Sequence, residues 1–101
     1  MLTPRQRQFL KAQAHALKAG VHIGKAGVTR ALGDDLDAML DSLELVKIKV
    51  NANAREDLAL AQAQLLAHLP GLEVVRTLGH TLLVYRASRT HPTRYPLPAR
   101  E

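Results

Sequence analysis

The 101 residues predict a single α/β domain with element order α-β-α-β-α-β-β and a mixed four-stranded sheet. Three observations predict it. Apolar residues recur at helical spacing in three stretches, and they alternate or cluster over short runs in four others. The two kinds of stretch interleave until the last pair of strands, which only a two-residue turn separates. Strand–helix–strand units give parallel neighbours, and a closing hairpin adds an antiparallel pair. A chain of this length is one domain and can bury roughly two-thirds of its unfolded surface.

The first helix opens at Leu2-Thr3-Pro4, where Thr3 can accept from the free N–H groups of the first turn and Pro4 suits the first helical position. It runs to about His15. Phe9, Leu10 and Leu17 mark its apolar side, with Arg5, Arg7 and Lys11 largely elsewhere. Val21-His22-Ile23 is a short strand, Gly24-Lys25-Ala26-Gly27 a tight loop, and Thr29 caps the next helix. In that helix Leu32, Leu36, Met39, Leu40 and Leu43 form one stripe. Asp34, Asp35, Asp37 and Asp41 take the opposite, solvated face.

Leu45 to Val50 alternates with period two: Val46, Ile48 and Val50 face one way, Lys47 and Lys49 the other. A parallel strand covered on both faces would be apolar throughout, so the face carrying Lys47, Lys49 and His22 is expected to be partly open. Asn53 and Glu56 have capping-box spacing and open a third helix, with Leu58, Ala61, Leu65 and Leu69 buried, that ends at Pro70-Gly71. Leu72 to Leu78 and Thr81 to Arg86 are the last strands, joined by a Gly79-His80 turn. The domain is expected over residues 1–87, followed by a basic, Pro-containing tail over 88–101, flexible or loosely docked.

Composition narrows the function classes. There is no cysteine, which excludes disulfides, thiolate catalysis and Cys-based zinc sites. No apolar run approaches the ~20 residues of a membrane span. The basic, acid-free start superficially resembles an organellar transit peptide, but it is poor in Ser and reads as folded structure. A soluble, cytoplasmic, monomeric protein is the expectation. The net charge of +5 divides unevenly: residues 1–30 carry +6, residues 31–60 carry −4 and residues 61–101 carry +3. Such asymmetry suits one surface built for a polyanion and another kept away from it.

Gly24-Lys25-Ala26-Gly27 is the most informative stretch. Two glycines three apart let a chain turn tightly and let another backbone approach without a Cβ clash. The loop leads into a helix start, where free N–H groups and the positive dipole end favour phosphate, and Lys25 adds a full charge. KH modules clamp nucleic-acid backbone with a loop of this kind, although the same spacing also serves as a plain structural turn. It matches neither a Walker A loop nor a dinucleotide fingerprint. His15, His22, His68, His80 and His91 lack close ligand spacing, so no metal site is expected. His22 and His80 are the pair that acid–base cleavage of RNA would need.

Four stretches, in order, resemble the CRM domain (chloroplast RNA splicing and ribosome maturation) in its stand-alone bacterial YhbY-type form. They are Leu2-Thr3 with Arg7 and Leu10; Ile23 through Thr29; Glu44 through Val50; and Leu78 through Arg86. The resemblance spans about residues 2–87, with Ala16, Ala19 and Ala87 standing where that family commonly has prolines. It implies a two-layer fold similar to the C-terminal domain of translation initiation factor 3, and binding to precursors of large-subunit ribosomal RNA. It carries the RNA-binding role onto Gly24, Lys25, Ala26 and Gly27 as the loop, and onto Lys47 and Lys49 as the basic strand face. Thr29 and Arg30 at the helix start, with Lys18 and His22, would extend the contact.

The expectation is therefore an RNA-binding ribosome assembly factor without catalytic residues, cofactor, membrane contact or small-molecule substrate. Two alternatives stay open. One is a protein-docking module using the acidic face around Asp34 and Asp41; the other is a small ribonuclease built on His22 and His80.

Overall fold

The computed structural model describes residues 2–51 and 55–99, the side chains of 55–57 excepted. Its elements follow the predicted order: α1 (Pro4–Ala14), β1 (Val21–Ile23), α2 (Arg30–Leu43), β2 (Leu45–Val50), α3 (Arg55–His68), β3 (Glu73–Leu78) and β4 (Thr81–Tyr85). Thr3 caps α1 as expected and does more: its hydroxyl accepts from the Gln6 amide while the Gln6 side chain accepts from the Thr3 amide, closing a capping box. Thr29 caps α2, its hydroxyl accepting from Leu32 N at 3.1 Å. The capping pair expected of Asn53 and Glu56 lies outside what is described.

The four strands form one sheet in the order β1-β2-β4-β3. β1 and β2 are the expected parallel neighbours, with Val21 opposite Ile48 and Ile23 opposite Val50. β2 and β3 run in the same direction but are not neighbours, because β4 lies between them and pairs antiparallel with both. The physical reason is burial. A strand covered by helices on both faces reads as a continuous apolar run, and Leu82, Leu83, Val84 and Tyr85 form one, all buried.

Each face of the sheet carries a core. On one face α2 and α3 pack Leu36, Leu40 and Leu65 against Ile48, Leu82 and Val84. All six are fully buried, each stabilising the fold by about 1.5–3 kcal/mol relative to exposure. On the other face α1 lays Leu10 and Ala14 over Leu45, Val75, Leu83 and Tyr85, with Phe9 and Leu17 at the margin. α1 covers only part of this face, so Lys49 and His22 remain exposed beyond it. Arg7 ties α1 to the sheet: its Nη1 donates to the carbonyls of Val74 at 2.6 Å and Val75 at 3.1 Å.

A register shift between Val74 and Arg76 marks a β-bulge there. Val75 stays in the core beneath α1, while Arg76 pairs with Leu83. The bulge therefore sends both neighbours towards the α1 side, which strict alternation forbids.

The acidic face of α2 divides. Asp34 and Asp35 are exposed as predicted, but Asp37 and Asp41 are engaged with the chain beyond β4. Arg86, buried at the end of β4, donates from Nη1 to Asp37 at 2.5 Å and from Nη2 to Asp41 at 3.3 Å. Arg89 Nη2 reaches Asp41 at 2.7 Å and Asp37 at 2.8 Å. Glu44, only 1% exposed at the C-cap of α2, accepts from the amides of Ser88 and Arg94 and from the Thr93 hydroxyl. Tyr95 and Leu97 then pack on the α1-side core, and Pro98 accepts from Gln6 Nε2. The expectation of one solvated acidic face fails because these arginines, far away in sequence, return to it.

Candidate nucleic-acid interface

β1 and β2 end side by side, and the loop from Gly24 to Gly27 springs from that end of the sheet. Gly27 N donates to Gly24 O at 3.0 Å, closing the turn. Gly27 has φ +70°, a left-handed conformation that explains why glycine stands there. Gly24 is different. Its φ lies outside that region, and a Cβ added to it would meet nothing within 4 Å. No internal contact requires the missing side chain, so what it leaves open is the approach from solvent.

Two clefts flank this glycine. His22, Gly24 and Lys49 line one of about 410 Å³ together with Asn51. Gly24, Lys25 and Gly27 line a second, of about 310 Å³, whose far wall is Leu60, Ala61 and Gln64 of α3. The predicted residues His22, Gly24, Lys25, Gly27 and Lys49 are thus gathered at one end of the sheet. Ala26 is exposed at the loop tip, and Thr29 and Arg30 are exposed at the start of α2 immediately after it. The Thr29 hydroxyl is committed to the cap, so of the two side chains the exposed Arg30 is the one that can meet a ligand.

Lys47 and Lys18 lie apart from that group. Lys47 shares the face of Lys49 but sits near the other end of β1, where its backbone carbonyl accepts from Gly20 N. Its Nζ donates to Leu17 O at 2.9 Å, so part of its hydrogen-bonding capacity holds the connection between α1 and β1. Lys18 is exposed on that same connection. His22 and His80 come to the same end of the sheet, but β2 with Lys49 separates His22 from the hairpin turn that carries His80. Two strand spacings amount to about 10 Å.

The structure adds residues that the sequence did not single out. Beneath the C-terminal turn of α1, Lys11 and His15 face Lys47 and Arg76 across a groove of about 310 Å³. Leu78, Thr81 and Leu83 also line it. Arg76 reaches it through the β-bulge, whose one sequence signal is the break in alternation at Val74-Val75-Arg76. Among the described residues no cluster of His, Asp or Glu could hold a metal ion, and no helix is long and apolar enough to cross a membrane.

Residues 2–86 match the family described as the CRS1 / YhbY (CRM) domain. An "RNA-binding protein" of Haemophilus influenzae is 33% identical over 95 residues, covering 94% of this chain and 95% of the relative. The "Probable RNA-binding protein YqeI" of Bacillus subtilis is 33% identical over 89 residues, covering 88% and 92%. The solution structure of a hypothetical protein from Staphylococcus aureus superposes with a TM-score of 0.77 at 30% identity, over 97% of this chain and all of that one.

Proposed function

The chain belongs to the CRS1/YhbY (CRM) domain family, and from that premise we propose that it binds RNA, associating with precursors of large-subunit ribosomal RNA as an assembly or maturation factor. Gly24 is the observation that carries the reading: it is a glycine that no internal contact requires, at the foot of the loop, sharing its two clefts with Lys25, Lys49 and His22. An RNA backbone laid against Gly24 would bring its phosphates within reach of Lys25 and Lys49, with the His22 imidazole beside them. The relatives named as RNA-binding proteins support the same reading.

Contacts of this kind recognise phosphate and shape, which position an RNA without naming its sequence. The protein-docking alternative has less support, since Asp41 is held by Arg89 and Arg86. The ribonuclease alternative would need His22 and His80 to act across the width of β2. In this reading the protein works as a monomer in the cytoplasm.

The test is binding to protein-free large-subunit ribosomal RNA fragments across a salt series, with RNA integrity checked in the same samples. The expected result is binding of intact RNA with a log–log salt slope of about −0.7 to −0.9 per neutralised phosphate. Lys25→Ala should weaken every fragment and flatten the slope by about one such increment. Absence of binding at low salt would move the reading to protein docking, and cleaved RNA would revive the histidine pair.

A further inference from the structure

The groove beneath the C-terminal turn of α1 combines features that a phosphate surface alone does not need. Its walls are cationic or titratable: Lys11 and His15 on α1, Lys47 on β2 and Arg76 on β3. Among the described residues no acidic side chain lines it. Its floor is apolar, with Leu83 and Ala14 at the base and Leu78 at the lip, 62% exposed. Thr81, between floor and wall, supplies a hydroxyl.

Three structural details aim this chemistry inward. The β-bulge turns Arg76 onto this side and Arg7 satisfies the carbonyls of Val74 and Val75, so the bulge is bonded in place. The bond from Lys47 Nζ to Leu17 O fixes the Lys47 wall while leaving the other ammonium protons free for a ligand. Leu78 and Thr81 are paired across the hairpin, and Thr81 pairs with Lys49 on its other side, so the lip continues into the row that reaches His22.

A nucleobase has an apolar face and a polar edge, and its nucleotide carries an anion. Those are the three surfaces this groove offers partners for. A duplex hides its base faces and presents backbone, for which an apolar floor is of no use. We propose that the groove between α1 and the sheet, floored by Leu83, lipped by Leu78 and walled by Lys11, Lys47 and Arg76, accepts an unpaired nucleotide of the bound RNA, so that the protein favours single-stranded segments. The proposal rests on the RNA-binding reading above and adds the kind of RNA that is held. The volume of about 310 Å³ sits at the low end of small-ligand sites, consistent with one nucleotide.

The experiment compares a short oligouridylate with a blunt RNA duplex of the same length, by anisotropy at low salt, on the full chain. Leu78→Ser removes apolar surface and changes no charge. It should weaken the single strand about three- to tenfold and the duplex far less. Leu78 is exposed, so this variant should keep the wild-type melting temperature, which the same preparation checks. Arg76→Gln should also weaken the single strand and flatten its salt slope. Single-strand affinity unchanged in Leu78→Ser, or an equal loss for both probes, overturns the proposal while leaving RNA binding standing. Wild-type protein that binds neither probe overturns both.

Discussion

At φ +70° a side chain on residue 27 would crowd its own backbone, at a cost of about 1–2 kcal/mol, whereas residue 24 sits in ordinary backbone space with nothing near its missing Cβ. The two glycines of one motif therefore answer to different demands, and substitution should separate them. Gly27→Ala should lower the melting temperature by roughly 4–8 °C per kcal/mol lost. Gly24→Ala should leave the melt in place and, on the proposed reading, weaken RNA binding, because the new methyl group enters the open space left for the backbone. Equal destabilisation by both would return the motif to a plain turn. The spacing Gly-Lys-Ala-Gly was plain in the sequence, but this division was not, since it depends on φ and on what surrounds each Cα. Lys47 shows the same limit: alternation put it correctly beside Lys49 on one face, yet no pattern could reveal that its ammonium is held by Leu17 O.

Among the elements, local pattern was a good guide, and so it was for the pairing of β1 with β2 and of β3 with β4, but not for the place of β4 in the sheet. Helical apolar stripes, period-two alternation, the Thr3 and Thr29 caps and the Pro70-Gly71 and Gly79-His80 turns placed all seven elements, because each signal acts within a few residues of the structure it makes. The insertion of β4 between β2 and β3 depends on long-range burial, and so does the return of Arg86, Arg89 and the following residues to α2. That latch has its own pH dependence. Hydrogen bonds from Arg86 and then Arg89 hold the Asp37 carboxyl below its ordinary range, and those from Arg89 do the same for Asp41. For Glu44 burial pushes the carboxyl up, but the Arg94 and Ser88 amides and the Thr93 hydroxyl outweigh it, and the net shift is downward. Groups depressed in the folded state stabilise it above their unfolded value and lose that contribution as pH falls towards the folded one. The latch should thus be intact at neutral pH and loosen as pH drops below about 4. Hydrogen exchange at the Ser88 and Arg94 amides measures it, and Asp41→Asn should raise exchange already at pH 7. Exchange at those amides that is insensitive to both acid and Asp41→Asn would mean that packing of Tyr95 and Leu97 holds the segment alone.

For the whole molecule, the asymmetry of charge becomes an asymmetry of surface. Most of the acidic middle third of the sequence is α2, whose carboxylates are either exposed at Asp34 and Asp35 or consumed by the latch. Outside that latch, Lys25 and Lys49 lie at the loop end of the sheet, and Lys11, Lys47 and Arg76 line the groove under α1. A polyanion can then meet the open face of the sheet without facing the acids of α2. Because both basic regions are built from strands of one sheet and helices packed on it, an RNA that bridges them binds only the folded state. Binding should therefore appear as stability. At a free RNA concentration a hundredfold above Kd the fold gains about 2.7 kcal/mol. For a domain of this size that raises the melting temperature by roughly 10–20 °C. Raising the salt should erase the gain along the same slope as the affinity, since counterion release drives both. Lys25→Ala and Leu78→Ser should each reduce the gain at fixed RNA without moving the RNA-free melt. A protein-docking module using the α2 face would show no RNA-dependent shift at any salt, so one thermal series with and without RNA separates the two readings through the fold itself.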